Sequence, residues 1–99
     1  MSDAAGNAAS SSLTRHLAIG NKRGLHARAA AKFVRTAGQF DAAVRVSFKG
    51  QEVSGLSIMG LMMLAAGIGS TIVLSCSGRQ AADAMAALAA LVDGKFGED

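Results

Sequence analysis

A histidine and an arginine stand two positions apart, where an apolar segment gives way to an alanine-rich helical pattern. His26 opens this pattern, and Arg28 lies in its first turn. A helix N-terminus binds anions through unpaired N–H groups and a partial positive charge, and that charge favours a neutral, nucleophilic imidazole. No acidic residue occurs between Asp3 and Asp41, so the sequence places no carboxylate near His26. The pattern predicts a histidine that accepts a phosphoryl group and an arginine that meets the resulting anion.

The residues alone also leave plainer interpretations open. His26 is compatible with a simple capping or solvated role, although histidine is not a preferred N-cap residue. Lys22 and Arg23, in the turn before it, fit solvated charges as well as they fit the steering of an acidic partner. Lys32 and Arg35, further along the helix, are expected to form a solvated face.

A second informative stretch begins about thirty residues later. Ser57 is expected to be the N-cap of a short helix from Ile58 to about Ala65. This helix is apolar nearly all round, so it either lies deep in the core or exposes a methionine-rich patch that adapts to several partners. We expect Leu61 and Leu64 to lie in the core.

The two stretches together resemble the signatures of one protein family. Gly24-Leu25-His26-Ala27-Arg28 is similar to the phosphorylation site, and Leu56-Ser57-Ile58-Met59-Gly60-Leu61-Met62 to the regulatory-serine segment, of the HPr family. These are the phosphocarrier proteins of the bacterial phosphoenolpyruvate-dependent phosphotransferase system. Order, separation and length agree from about Leu13 to Val92. The chain departs at Ala29, where the family usually has proline, and at Leu56, where many relatives have lysine.

This resemblance implies roles for individual residues. His26 would accept a phosphoryl group on Nδ1 from enzyme I and pass it to an enzyme IIA, while Arg28 and backbone amides including Ala27 neutralise the phosphate. Ser57 matches the position that an HPr kinase/phosphorylase modifies in some members, and an unmodified capping serine is the alternative. The residues that match the partner-docking face are Ile58, Met59 and Met62.

The periodicity of the chain predicts alternating strands and helices. The main elements are a strand at Leu13–Ile19, a helix at His26–Ala37, a hairpin over 43–54, a strand at Ser70–Cys76 and a helix at Gln80–Val92. This order argues an α+β fold with helices on one face of a mostly antiparallel sheet, and pattern alone leaves ferredoxin-like arrangements open. The resemblance implies the HPr-like open-faced β-sandwich, βαββαβα, with four strands, two longer helices and one short one. Residues 1–12 are expected to be a disordered tail, 13–92 the HPr domain and 93–99 a loose tail.

Composition limits the other classes of function. The net charge of +3 and pI near 9.6 are the sole signal for nucleic-acid binding, and the chain lacks Tyr, Trp and any RNA-binding signature. One cysteine, Cys76, excludes an intramolecular disulfide, fits a cytoplasmic protein and is expected to be a small buried apolar residue. No apolar run is long enough to insert into a membrane. No metal-ligand cluster, nucleophile–base pair or nucleotide loop is visible, so we expect a monomeric carrier without a cofactor and not a free-standing enzyme.

A second hypothesis assigns the chain to the same family but gives it a different biological role. The serine motif and the departures at Ala29 and Leu56 are also compatible with a mainly regulatory paralogue of the nitrogen-type phosphotransferase system. Such a protein would act through contacts set by phosphorylation and would not feed sugar uptake.

Overall fold

The structure, a computed structural model, describes residues 12–98. Its elements follow the predicted order, with a short 3₁₀ turn added at the end. They are β1 (Leu13–Ala18), α1 (Ala27–Ala37), β2 (Ala43–Phe48), β3 (Gln51–Ser54), α2 (Ile58–Met63), β4 (Thr71–Ser77), α3 (Ala81–Asp93) and the 3₁₀ turn (Lys95–Gly97).

The four strands form one sheet in the order β1-β4-β2-β3, and every neighbouring pair is antiparallel. The predicted hairpin joins β2 to β3. Lys49 and Gly50 at its tip have φ angles of 50° and 81°, the left-handed conformation that a tight hairpin turn requires.

The helices cover one face of this sheet. α3 packs on β1 and β4, and α1 packs against both α2 and α3. Residues of β2 and β4 alternate between buried and more accessible positions, which is the signature of a half-covered sheet, and His16 in β1 is exposed on the opposite face. The α+β prediction with helices on one face is therefore confirmed. The buried sheet residues are Leu17, Val44, Val46, Ile72, Leu74 and Cys76.

The short helix α2 is anchored by its cap and by two leucines. The Oγ atom of Ser57 accepts a hydrogen bond from the N–H of Gly60 at 2.9 Å, as expected of an N-cap. Leu61 and Leu64 are buried, as predicted. The helix ends earlier than predicted because Ala65 has a φ of 56°, and a left-handed residue cannot continue a right-handed helix.

The C-terminal segment differs from its prediction. A loose tail was expected after α3, yet Phe96 is only 1% exposed and the Nζ atom of Lys32 donates to the carbonyl oxygen of Phe96 at 2.6 Å. The solvated role expected for Lys32 is therefore also wrong. Lys95 and Phe96 have left-handed φ angles of 58° and 56°, which cost of order 1–3 kcal/mol each and are compensated here by burial of the aromatic ring. Residues 95–98 thus belong to the folded domain.

Two further expectations concern the N-terminal tail and the possibility of a membrane-spanning helix. The predicted disordered tail over residues 1–12 lies outside the described residues, apart from Ser12. None of the helices in the described part of the chain is long and apolar enough to cross a membrane.

Candidate functional site

The approach to His26 is fixed by a glycine and by the loop that follows α2. Gly24 has a φ of 63°, and a Cβ atom there would lie 2.4 Å from the carbonyl oxygen of Ala66 and 2.7 Å from the Cα atom of Gly67. Glycine is required at this position for both reasons. The N–H of Leu25 donates to the same Ala66 oxygen at 3.0 Å. The backbone that delivers His26 is therefore held against the loop beyond α2.

His26 is the N-cap residue of α1. Its backbone is extended (φ −74°, ψ 178°), and its carbonyl oxygen accepts the N–H of Ala30 at 2.9 Å. Its side chain makes no capping hydrogen bond to the described residues, and the first helical turn contains no acidic residue. The first amides of a helix have no partner within the helix, so those of Ala27, Arg28 and Ala29 are available to an anion.

A carboxylate from the far end of the chain meets the histidine. The Nε2 atom of His26 lies 2.5 Å from the Oε2 atom of Glu98. Buried Asn21 donates from Nδ2 to the Oε1 atom of Glu98 at 3.1 Å and to the carbonyl oxygen of Gly24 at 2.9 Å. The sequence places no carboxylate close to His26 along the chain, and the fold supplies one from its C-terminal segment. The partner of His26 lies 72 residues along the chain, which no local reading of the sequence could reveal.

This contact favours one tautomer of a neutral imidazole at His26. The hydrogen bond with His26 lowers the pKa of Glu98, burial opposes that effect, and Asn21 and the charge of Lys32 add to it. An ionised carboxylate only accepts hydrogen bonds, so the proton of a neutral imidazole must sit on Nε2. The lone pair is then on Nδ1. The carboxylate at Nε2 orients the imidazole ring.

Arg28 is exposed in the first turn of α1. It makes no hydrogen bond or ion pair with residues 12–98, and the helix dipole disfavours a cation at this end. The turn before His26 presents two more exposed cations, Lys22 and Arg23. The helix N-terminus is therefore flanked by positive charge that can meet an anion.

Beside this site lies an exposed apolar surface. We call it the α2 surface; it includes the three residues that the sequence assigned to docking and three that it did not. α2 packs against α1, and the segment that follows it is bonded to the histidine loop through Leu25 and Ala66. The members of the α2 surface are Leu56, Ile58, Met59, Met62, Met63 and Ile68.

The single cysteine lies elsewhere. Cys76 is buried on the helix-covered face of β4, and burial raises the pKa of its thiol. A protonated, inaccessible thiol is a poor nucleophile, so the prediction of a small buried apolar residue is confirmed. Within residues 12–98, no group of three or more His, Cys, Asp or Glu side chains is arranged to hold a metal ion.

Comparison with known proteins decides the family. A family model described as the PTS HPr component phosphorylation site matches residues 13–93. This chain belongs to the HPr family. The phosphocarrier protein HPr of Cupriavidus necator is 52% identical over 87% of this chain and 97% of its own length. The phosphocarrier protein NPr of Shewanella violacea is 45% identical over 87% of this chain and 94% of its own.

The fold agrees with that of solved HPr structures. The crystal structure of HPr-C-His from Thermoanaerobacter tengcongensis superposes with a TM-score of 0.84 at 40% identity, covering 88% of this chain and 98% of that one. The predicted HPr-like fold, with four strands, two longer helices and one short one, is therefore confirmed. The family is one of phosphocarriers of the phosphotransferase system, which agrees with the resemblance drawn from the two sequence motifs.

Proposed function

We propose that this chain accepts a phosphoryl group on Nδ1 of His26 from phosphorylated enzyme I and passes it to an enzyme IIA in the cytoplasm. The observation that carries this proposal is the contact between the Nε2 atom of His26 and the Glu98 carboxylate at 2.5 Å. It leaves Nδ1 as the nitrogen with a free lone pair, beside the uncapped first turn of α1.

The transfer needs little covalent chemistry from the carrier. The Nδ1 lone pair forms a bond to phosphorus while the bond between phosphorus and the donor breaks, and the ring keeps its proton on Nε2. Glu98 acts as a positioning residue, because it holds that proton and the plane of the ring. The return step is the same displacement, with a nucleophile of the acceptor protein attacking the phosphorus. Such reactions depend on alignment and on neutralising the phosphoryl oxygens.

Charge stabilisation falls to Arg28 and the helix N-terminus. The guanidinium of Arg28 has no partner among residues 12–98 and carries paired donors that match phosphate oxygens. The amides of Ala27 and Arg28 point along the helix axis at the positive end of the dipole. Together they would compensate the dianion without a metal or a cofactor.

Partner contact is assigned to the α2 surface, in particular Ile58, Met59 and Met62. These side chains are exposed although they are apolar, and the segment that follows their helix is bonded to the histidine loop. Flexible thioethers adapt to different partners, which suits a monomeric carrier that must meet a donor and an acceptor with the same face. The cations around the helix N-terminus favour acidic partner surfaces.

The test is transfer of label from phosphoenolpyruvate through the cognate enzyme I. We expect acid-labile, alkali-stable phosphate on the wild type and none on His26→Ala. His16→Ala is the matched control, because His16 is exposed on β1 and should be replaced without effect. Absence of label on the wild type, or label that persists in His26→Ala, would overturn the proposal.

Ser57 is proposed as a regulatory phosphorylation site for an HPr kinase/phosphorylase. Its Oγ caps α2 at 2.9 Å from the Gly60 nitrogen, and exposed Leu56 and Ile58 flank it. A phosphate there adds roughly −1.5 to −2 charges within the α2 surface. The added charge would repel an acidic partner and slow transfer to His26.

Ser57 is tested with the kinase and ATP, with Ser54→Ala as the matched control. Ser54 lies three positions away and its Oγ accepts the N–H of Leu56 at 3.1 Å, so it samples the same neighbourhood. We expect acid-stable phosphate on the wild type and Ser54→Ala, and none on Ser57→Ala. Labelling of all three proteins would show that another residue is modified.

A regulatory role in a nitrogen-type system is the second candidate. It is favoured by the NPr relative, which is 45% identical to this chain. Phosphorylated carrier should be offered a sugar-specific and a nitrogen-type enzyme IIA at equal concentration. Faster transfer to the nitrogen-type acceptor would favour this alternative over sugar uptake.

A further inference from the structure

Methionine is distributed unevenly between the core and the α2 surface. Met59 and Met63 are 70% and 72% exposed, Met62 is 40% exposed, and Met85 in α3 is only 4% exposed. We propose that Met59 and Met63 are oxidation sites through which a peroxide reversibly weakens partner docking. This inference rests on the proposed carrier function and adds a modification that the function does not require.

The reaction is a two-electron oxygen transfer. A sulfur lone pair attacks one oxygen of hydrogen peroxide, the O–O bond breaks, an S–O bond forms, and water leaves after proton transfer to the departing hydroxide. The thioether is oxidised to a sulfoxide and the peroxide is reduced. Because the oxidant must reach the sulfur, reactivity should follow exposure. We therefore expect Met59 and Met63 to react first, Met62 more slowly and Met85 last.

The fold allows this chemistry to occur without unfolding. α2 is held by the Ser57 cap and by the buried side chains of Leu61 and Leu64, and not by Met59 or Met63. Oxidation of the two exposed side chains leaves these anchors in place. A sulfoxide at Met85, in contrast, would put a polar group into the core.

The cysteine does not compete for the oxidant. Thiol oxidation requires an accessible thiolate, and Cys76 is buried among the sheet residues beneath the helices. The exposed thioethers, and not the thiol, are therefore the groups of this carrier that a peroxide oxidises.

The consequence lies at the docking step. A sulfoxide is polar and chiral, whereas the thioether of methionine is flexible and apolar. The oxidised side chain therefore loses the apolar fit that the α2 surface offers to a partner. The segment that follows α2 is bonded to the histidine loop through the N–H of Leu25 and the carbonyl oxygen of Ala66, so a short stretch of chain connects the helix that carries the modified side chains with the transfer site. We expect KM for transfer to rise by roughly tenfold while the chemistry at His26 is unchanged.

The experiment treats the full chain with hydrogen peroxide and follows each methionine by peptide mass spectrometry. Transfer from enzyme I is measured before treatment, after it, and after reduction by methionine sulfoxide reductases with a thiol reductant. We expect one added oxygen on Met59 and on Met63, intact Met85, a raised KM and recovery on reduction. The far-ultraviolet circular dichroism spectrum should not change, which distinguishes a docking effect from unfolding.

Volume-conserving variants provide the controls. The double variant Met59→Leu/Met63→Leu keeps the surface apolar and removes both exposed thioethers, so peroxide should not raise its KM above the value measured for the same variant before treatment. Met85→Leu should remain as peroxide-sensitive as the wild type. An unchanged KM after oxidation of Met59 and Met63, or equal inactivation of the double variant, would overturn the inference. Failure of the untreated wild type to take label would instead count against the carrier function itself.

Discussion

The histidine site and the α2 surface are neighbours built on opposite principles. At the site, His26, Asn21 and Glu98 are joined by hydrogen bonds, and the side chains of His26 and Glu98 are each only 15% exposed. On the α2 surface, six large apolar side chains are exposed, and backbone and cap contacts hold the helix beneath them. The first region fixes one ring in one orientation, whereas the second presents side chains that can change rotamer.

The difference indicates how a small carrier divides two demands. Phosphoryl transfer needs alignment within a fraction of an ångström, which polar contacts and burial provide. Serial recognition of a donor and an acceptor needs a surface that conforms to each, which exposed methionine and leucine provide. Changes in the first region should therefore alter the rate of transfer, and changes in the second should alter apparent affinity.

The largest expected effect is that of Glu98→Ala. Without the carboxylate the ring of His26 can rotate and its proton can occupy either nitrogen, so kcat for accepting phosphate should fall by roughly 10- to 100-fold with KM nearly unchanged. Glu98→Gln should be intermediate, because His26 and Asn21 are bonded to different oxygens of the carboxylate and glutamine replaces one of these oxygens by an NH2 donor. Steady-state transfer kinetics measure both quantities. A rise in KM with unchanged kcat would assign Glu98 to docking instead.

The α2 surface should show the reverse pattern. Replacing Met59 and Met63 together by serine removes exposed apolar contacts and should raise KM by roughly tenfold while kcat stays within about twofold. Leu13→Ser is the matched control, since Leu13 is also an exposed apolar residue but lies on β1. The same kinetic assay separates the variants. An equal rise in KM for Leu13→Ser would show that the effect is not specific to the α2 surface.

The polar site should also contribute to acid sensitivity. The pKa of Glu98 is lowered in the folded protein by its hydrogen bond with His26, so its contribution to stability is present above the ordinary value of 4.5 and is lost as pH falls through the folded value. Glu98→Gln should therefore have a lower Tm than the wild type at neutral pH, and the two curves should converge in acid. Thermal unfolding from pH 7 to pH 2 tests this, and a constant difference across that range would contradict it.

The smallest effect is expected at a second short ion pair. The Nε atom of Arg45 lies 2.5 Å from the Oε2 atom of Glu52, the same separation as in the His26–Glu98 pair, but these side chains are 51% and 57% exposed. Exposed pairs contribute about 0–1 kcal/mol, so Arg45→Ala should change the free energy of unfolding by less than about 1 kcal/mol and leave transfer unaffected. Urea unfolding measures the first quantity. A larger loss of unfolding free energy would mean that the contribution of both pairs depends on the distance between their atoms and not on their burial.

Much of the fold was predictable because its determinants are local. Alternation along the strands, the 3.6-residue spacing in α1 and α3, and the cap at Ser57 are all readable over a few positions, and they predicted the element order and the buried leucines. The position of His26 and Arg28 at one helix N-terminus was predictable because the alanine-rich helical pattern begins at His26. The exposed residues beside α2 were only partly predicted, because the sequence does not show whether an apolar side chain next to a turn faces the core or the solvent.

The contacts of the C-terminal segment with the site were not predictable, because they form only when the end of the chain folds back against α1. Glu98 and Phe96 follow a glycine in a short polar segment, a composition that favours a loose tail. Their positions follow from where α3 ends relative to α1, which only the assembled sheet determines. Lys32 was misassigned for the same reason, because its partner is a backbone oxygen in that returning segment.

The span of the His26–Glu98 contact has a consequence for folding. The two residues are 72 positions apart, so their hydrogen bond closes a long loop and becomes favourable only after the sheet and α3 have brought its ends together. A chain with most of its secondary structure formed would still hold an unoriented imidazole. Orientation of the His26 ring thus depends on the return of the C-terminal segment to α1, and the resonances of the ring report whether that contact has formed.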